Sequence, residues 1–315
     1  MQIFHDFESV PAAFYNGAVS IGKFDGVHCG HALIFRHLKS HADKLSAPSI
    51  VVTFWPHPIA ILRADSQNIR PIQTLSRKIE LIKNFNVDAI IIIEPDKKFL
   101  LQSAETFFFN TIIGQLRSQI IVCGKNFTFG HARTGTVESM IHYGKSTKTN
   151  IDIVNSVQIN GMTISSSFIR KLLQEGKVSE ADKFLGLPYR MSGIVVKGDA
   201  RGRLLGFPTA NIERIETIIP QHGVYATIAT VEGKQFVSTT SIGTSPTFNQ
   251  HIQRVEVFIH NFDGDLYGKE LNIDLISEIR NIEQFSSKDE LINQMKKDIK
   301  QSEIFSTKYL NLKTV

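Results

Sequence analysis

The chain has 315 residues, more than one average core accommodates, so two domains are expected. With 42% hydrophobic and 21% charged residues it has the composition of a soluble globular protein, and a formal net charge of +5 suits an anionic ligand. The charge is spread over both halves without a dense basic block, so nucleic acid is not indicated, and the longest clean aliphatic run, Ala89 to Ile93, is far too short to cross a membrane.

In chain order, an apolar stretch from Ala18 to Ile21 predicts a strand. The turn Gly22-Lys-Phe-Asp-Gly-Val-His-Cys-Gly-His31 follows, and then an amphipathic helix with Leu33, Ile34, Leu38, Ala42 and Leu45 on its apolar face. A glycine turn opening a helix lets a phosphate approach free backbone N–H groups, and His28 and His31 would look into that space. The other readings of this histidine pair are an exposed helix face or, with Cys29, a zinc site; no CxxC or HExxH motif supports zinc.

Ser49 to Phe54 is the next predicted strand, closed by Trp55-Pro-His-Pro58. Thr74 opens a helix carrying Ile79, Ile82 and Phe85, and Ala89 to Ile93, apolar on both faces, reads as a central parallel strand. Ser103 opens a helix that stops at Gly114, and the strand Gln119 to Cys123 leads into the loop Gly124-Lys-Asn-Phe-Thr-Phe-Gly130. Tyr143-Gly-Lys-Ser146 is no P-loop, because Ser139 stands where that motif needs its first glycine.

Asn160-Gly161 predicts a tight turn between Ile151 to Val154 and Met162 to Ile164, after which Ser165, Ser166 and Ser167 start a helix that carries Arg170 and ends at Gly176. Serines in this place usually act only as caps; joined to the histidine turn, they and Arg170 can grip the far side of the same triphosphate. A second short helix ends at Gly186.

Beyond Leu187-Pro-Tyr189 the pattern changes to period-two alternation, with strands predicted near residues 191–197, 223–231, 236–242, 254–260 and 271–276. Within Gly198-Asp-Ala-Arg-Gly-Arg-Leu-Leu-Gly-Phe-Pro-Thr-Ala-Asn211, an extended ending would put Thr209 and Asn211 on one side as hard oxygen donors for magnesium; the plain alternative is a polar turn. Glu256 lies opposite the face shared by Val255, Val257 and Ile259, and reads either as a solvated strand residue or as a base. A capping box, Ser287-Lys-Asp-Glu290, starts a last helix with Leu291, Met295 and Ile299, which should pack on the barrel.

These motifs together resemble the bacterial bifunctional riboflavin kinase/FMN adenylyltransferases, also called FAD synthetases, from about residue 18 to 300. The carriers are the ten-residue turn from Gly22, Thr-Phe-Trp-Pro-His-Pro58, Gly-Lys-Asn-Phe-Thr-Phe-Gly130, Ile-Ser-Ser-Ser-Phe-Ile-Arg170, Gly-Phe-Pro-Thr-Ala-Asn211, Gly-Val-Tyr-Ala226 and Asp-Leu-Tyr-Gly-Lys269.

The resemblance implies a nucleotidyltransferase-type α/β domain, Rossmann-like with a parallel sheet, over residues 1–186. It implies a riboflavin kinase domain over 187–315, an all-β six-stranded antiparallel barrel with a C-terminal helix. The first would join FMN to AMP with release of pyrophosphate, and the second would phosphorylate riboflavin with ATP.

His28, His31 and Arg170 would be catalytic in the first reaction, with Gly22, Phe24, Asp25, Gly30, Ser165, Ser166 and Ser167 binding ATP and Asn126 contacting the flavin. In the second, Glu256 would be the base, Gly206, Phe207 and Pro208 would bind ATP, and Thr209 and Asn211 would hold Mg2+. Asn126 stands where many relatives have aspartate, Trp55 where an acidic residue is usual, and Ser167 where threonine is common.

Two other readings keep the same folds: an FAD synthetase with an inactive kinase half, and a flavin-sensing regulatory or RNA-binding protein. The expected partners are the small molecules ATP, riboflavin and FMN, with no membrane. The chain is expected to be cytoplasmic, as a monomer or weak homo-oligomer.

Overall fold

The computed structural model describes residues 1–62, 70–199, 201–247 and 250–313. Its contacts divide the chain into two compact units, one of Met1–Pro71 and Leu75–Ser165, the other of Ile72–Thr74 and Ser166–Val315.

The first unit is built on a parallel sheet with six described strands: β1 (Gln2–Phe4), β2 (Ala18–Ile21), β3 (Ser49–Phe54), β4 (Ala89–Ile93), β5 (Ile120–Gly124) and β6 (Asn150–Val154). Their order is β1-β4-β3-β2-β5-β6. Every residue of β2 and β4 is buried, because the sheet is covered on both faces. Alternate residues feed two cores: Val19, Ile50, Ile91 and Ile121 join one with Phe108 and Met140, while Val51, Ile90 and Val122 join another with Phe35 and Leu38 of helix α1 (Cys29–Leu45).

From β2 the chain builds outward through β3 to β4, and β5 then returns to the other side of β2. The carboxyl ends of β2 and β5 therefore flank the point where strand order reverses, the place where open α/β sheets bind ligands.

Helix α2 (Leu75–Lys83) precedes β4, and α3 (Val137–Thr147) precedes β6. Gly144 and Lys145 lie inside α3, and a Cβ at Gly144 would meet the Thr149 carbonyl at 2.6 Å, so this glycine serves packing and no phosphate loop exists there. The helix capped by Ser103 runs past the expected stop at Gly114 to Leu116, with Phe107–Ile113 wound as π-helix. Asn160 and Gly161, at φ 51° and 77°, turn a short hairpin between β7 (Gln158–Ile159) and β8 (Met162–Thr163).

The second unit opens with α4 (Ser166–Gln174) and α5 (Val178–Leu185) and continues into a closed antiparallel barrel. The described strands are β9 (Tyr189–Val196), β10 (Ala210–Glu213), β11 (Gly223–Val231), β12 (Lys234–Thr247), β13 (Gln250–Ile259) and β14 (Glu270–Arg280), closed in the order β10-β13-β12-β11-β14-β9. Strict alternation of burial along β9 shows which side chains fill the barrel.

The last helix, α6 (Lys288–Lys313), packs on the barrel as expected, but through a polar stripe. Asp298, Ser302 and Ser306 are its buried positions, whereas Leu291, Met295 and Ile299 are only half-buried. Asp298 accepts two hydrogen bonds from Arg280 at 2.9 and 2.8 Å, Ser302 accepts one from Thr239, and Ser306 donates to the Thr227 carbonyl. At the start of α6, Glu290 accepts from the Ser286 N–H rather than from Ser287, which shifts the reciprocal half of the capping box by one residue.

Asp182 on α5 accepts a hydrogen bond from the Tyr189 N–H at 3.0 Å, where β9 begins. Burial pushes its carboxyl up to about 8, the Tyr189 bond opposes this, and the Asp274 carboxylate adds to it. The folded state therefore holds a proton that the unfolded state releases above pH 4, and this contribution to stability is lost as pH rises toward 8. Asp182→Asn keeps the acceptor and removes the titration. It is expected to raise stability at pH 8 by about 5 kcal/mol, with no gain at pH 4, measured by thermal unfolding across that range.

Candidate functional site

In the first unit the candidate site is the turn between β2 and α1. The Gly22 N–H donates to the Val52 carbonyl at 3.0 Å, and the Lys23 carbonyl accepts from Thr53 Oγ1 at 3.2 Å and from Lys78 Nζ at 2.8 Å, so the turn is tied to β3 and α2. Phe24 folds back over Gly22, where a Cβ would stand 2.8 Å from its ring.

The backbone then passes through the left-handed region at Phe24 (φ 45°), Gly26 (φ 91°) and Val27 (φ 39°). A β-branched residue is rare there, and such strain persists where surrounding contacts over-determine it, often at functional sites.

His28 caps α1, and its Nδ1 accepts from the His31 N–H at 3.3 Å. That bond leaves the proton of the neutral ring on Nε2, as a donor. The two imidazoles stack at 3.6 Å between centroids, 15° apart in plane, and Phe24 meets His31 edge-on at 5.2 Å. Burial pushes His28 down to about 4, with the Asp25 carboxylate opposing.

His31 is held well below its usual value, first by burial and then by His28, Lys78 and Lys23. Its Nδ1 is buried without a hydrogen-bond partner among the described residues. Gly30 leaves room for this stack, since a Cβ there would touch the His28 ring at 3.2 Å. Two neutral imidazoles beside a helix N-terminus can donate hydrogen bonds to phosphoryl oxygens.

Asn126 is exposed in the turn that follows β5, where the Phe127 N–H donates to the Gly124 carbonyl; among the described residues no hydrogen bond links it to the histidine pair. Ser165 ends the first unit, while Ser166, Ser167 and Arg170 belong to α4, at the start of the second.

Lys78 is absent from the sequence-based set. It is a buried lysine on α2, and its spacing from Leu75 and Ile82 puts a cation in line with an apolar face, the signal that could have found it.

In the second unit, the register of β10, β13 and β12 sets Glu256 directly opposite Asn211 on one side and Ser241 on the other. Directly paired residues share a face, so Asn211, Glu256 and Ser241 form one row across three strands. Val255, Val257 and Ile259 are buried on the opposite face, as the alternation predicts, and Glu256 is half-buried.

The loop between β9 and β10 lies over this row. A Cβ at Gly198 would collide with the Asn211 amide, and one at Gly202 would stand 3.2 Å from Thr209 Oγ1 and collide with the Phe207 carbonyl. The loop is pinned by Asp199, which pairs with Arg254 at 2.7 Å, two residues before Glu256. Gly206, at φ 86°, Phe207 and Pro208 lead from the short helix Arg201–Leu204 into β10; Ala200 lies outside the described residues.

A family model described as FAD synthetase matches residues 11–168, and one described as riboflavin kinase matches 185–305. A bifunctional riboflavin kinase/FMN adenylyltransferase from Buchnera aphidicola is 33% identical, over 99% of each chain. A protein of the same name from Bacillus subtilis is 33% identical, over 95% of each.

A crystal structure titled as a macrolide-efflux protein from Streptococcus pneumoniae is 30% identical, with a TM-score of 0.87, covering 95% of this chain and 97% of that one. Among the described residues of this chain no helix is long and apolar enough to cross a membrane.

Proposed function

The chain belongs to the family of bifunctional riboflavin kinase/FMN adenylyltransferases, and we propose that its two reactions are divided between the histidine turn and the Glu256 row. The enzyme phosphorylates riboflavin to FMN and adenylylates FMN to FAD. We place the functional division at 186/187, beyond the end of the FAD synthetase match at residue 168 and two residues inside the riboflavin kinase match that starts at 185.

In adenylylation the FMN phosphate attacks the α-phosphorus of ATP, the P–O bond to the β-phosphate breaks, and pyrophosphate leaves. The nucleophile is already ionised at neutral pH, so the protein needs donors for the charge that builds on the α-phosphoryl oxygens rather than a base. His28 and His31 are those donors. Gly22, Phe24, Asp25 and Gly30 shape the ATP-binding turn, and Asn126 is assigned to the flavin. Ser165, Ser166, Ser167 and Arg170 are assigned to ATP on the resemblance of their motif alone.

In phosphorylation a ribityl hydroxyl attacks the γ-phosphorus and must lose its proton. Glu256 accepts it, and its place beside Asn211 in the β13–β10 register is the observation that carries this assignment.

The kinase and adenylyltransferase families use a divalent metal with ATP, and we take it to be Mg2+. The donor set suits it: a hydroxyl at Thr209 and an amide at Asn211, with glycines where side chains would otherwise fill the space. When bound, the metal would supply positive charge at the phosphates. Gly206, Phe207 and Pro208 carry the loop against ATP. The free cysteines and the ATP requirement support a cytoplasmic place of action.

The test is a chromatographic assay of purified protein with ATP and magnesium, given riboflavin or FMN in parallel. FMN from riboflavin and FAD from FMN are expected. FAD alone would reduce the assignment to an adenylyltransferase with an inactive barrel, and no product from either would favour a binding protein.

A further inference from the structure

Lys78 is almost fully buried on α2, yet its ammonium meets no carboxylate within ion-pair distance among the described residues; its hydrogen bonds go to backbone. Nζ donates to the Lys23 carbonyl at 2.8 Å and reaches the Phe54 carbonyl at 3.5 Å, and it lies 5.5 Å from the centre of the Trp55 ring. These two carbonyls belong to the segments leaving β2 and β3, neighbours in the sheet. One cation thus joins both strand ends where the glycine turn departs.

Burying a lysine without a carboxylate pair is costly, and a methionine or leucine would fill the same volume without that cost. A cation in this place needs a reason beyond packing. Charge supplies one. Lys78 lies near enough to His31 to disfavour its protonation, and adenylyl transfer builds negative charge on the phosphoryl oxygens.

We propose that Lys78 is a positioning residue for adenylyl transfer: it fixes the Lys23 carbonyl, and with it the Gly22 to His28 turn, and sets a positive charge behind the histidine pair. The inference rests on the assignment of that reaction to this turn.

The charged and titratable groups around Lys78 are Asp25 and Lys23 from the turn and His31 from α1, with the Trp55 ring beyond β3. Burial pushes the Lys78 ammonium down to about 8, and Asp25 opposes the shift. Its charge should therefore be lost as pH rises through about 8.

The experiment compares wild type, Lys78→Met and Lys78→Arg in both steps, each across pH 6 to 10. The wild type is expected to lose kcat for FAD formation above about pH 8, with no such limb in riboflavin phosphorylation. Lys78→Met should lower kcat for FAD formation by about tenfold or more, change KM for ATP less, keep riboflavin phosphorylation and lose the limb. Lys78→Arg, charged throughout, should carry the limb upward.

Wild-type FAD formation without a limb near pH 8 would overturn the proposal whether or not the variants fold. So would Lys78→Met acting within about threefold of wild type, equal loss of both steps, or an unmoved limb in Lys78→Arg. Wild-type protein that forms no FAD from FMN at any pH would instead overturn the assignment of the turn.

Discussion

Glu256→Gln is expected to lower FMN formation from riboflavin by about 10²–10⁴-fold while FAD formation from supplied FMN continues. Glutamine keeps the shape of the side chain opposite Asn211 and Ser241, so the strand register has no cause to change. What it removes is the ability to take a proton from the attacking hydroxyl. The defect should therefore fall on kcat, with KM for riboflavin and ATP little altered. Steady-state assays of the two steps on one preparation decide the matter. Loss of both steps would sink the division of labour, and undiminished FMN formation would leave Glu256 a solvated strand residue.

The sequence reading succeeded where local pattern and tertiary role coincide. Ala89 to Ile93 is apolar at every position and is the buried β4, and Asn160-Gly161 adopts the positive φ values its turn needs. It faltered where long-range partners decide. The strand Gln2–Phe4 is three residues long, too short for a periodic signal, and exists because β4 offers it an edge.

The packing face of α6 escaped for a related reason. Asp298, Ser302 and Ser306 look like solvent-facing residues until Arg280, Thr239 and the Thr227 carbonyl supply their partners. Lys78 is the same lesson at the site: a lysine on an apolar stripe reads as a blemish in the pattern until backbone carbonyls from two other segments meet it. By contrast, His28 and Asn211 could be singled out because the family motifs they resemble confine both residue type and spacing, and Glu256 because a kinase step needs a carboxylate; the roles of all three stand as proposed. The geometry adds their relations: the histidine stack, and the row across three strands.

His28→Ala is expected to lower FAD formation by about 10²–10³-fold and to leave riboflavin phosphorylation unchanged. Because His28 Nδ1 is occupied by the His31 N–H, the donor lost is Nε2–H, and the loss also releases the ring stacked on His31. The same substitution has a second, independent signature in stability. The folded pKa of His28, about 4, lies below the unfolded value of 6.5, so between these values the unfolded chain takes a proton that the native one refuses. Stability present above pH 6.5 is lost as pH falls toward 4, by about 3 kcal/mol for a group this buried. Alanine removes that loss along with the capping bond. Urea unfolding followed by the fluorescence of Trp55, the single tryptophan, should thus show a variant weaker than wild type at pH 7 but less acid-sensitive between pH 6.5 and 4.5. Equal acid sensitivity in the two proteins would mean that His28 is open to protons in the folded state, and the neutral donor pair proposed for adenylyl transfer would fall with it.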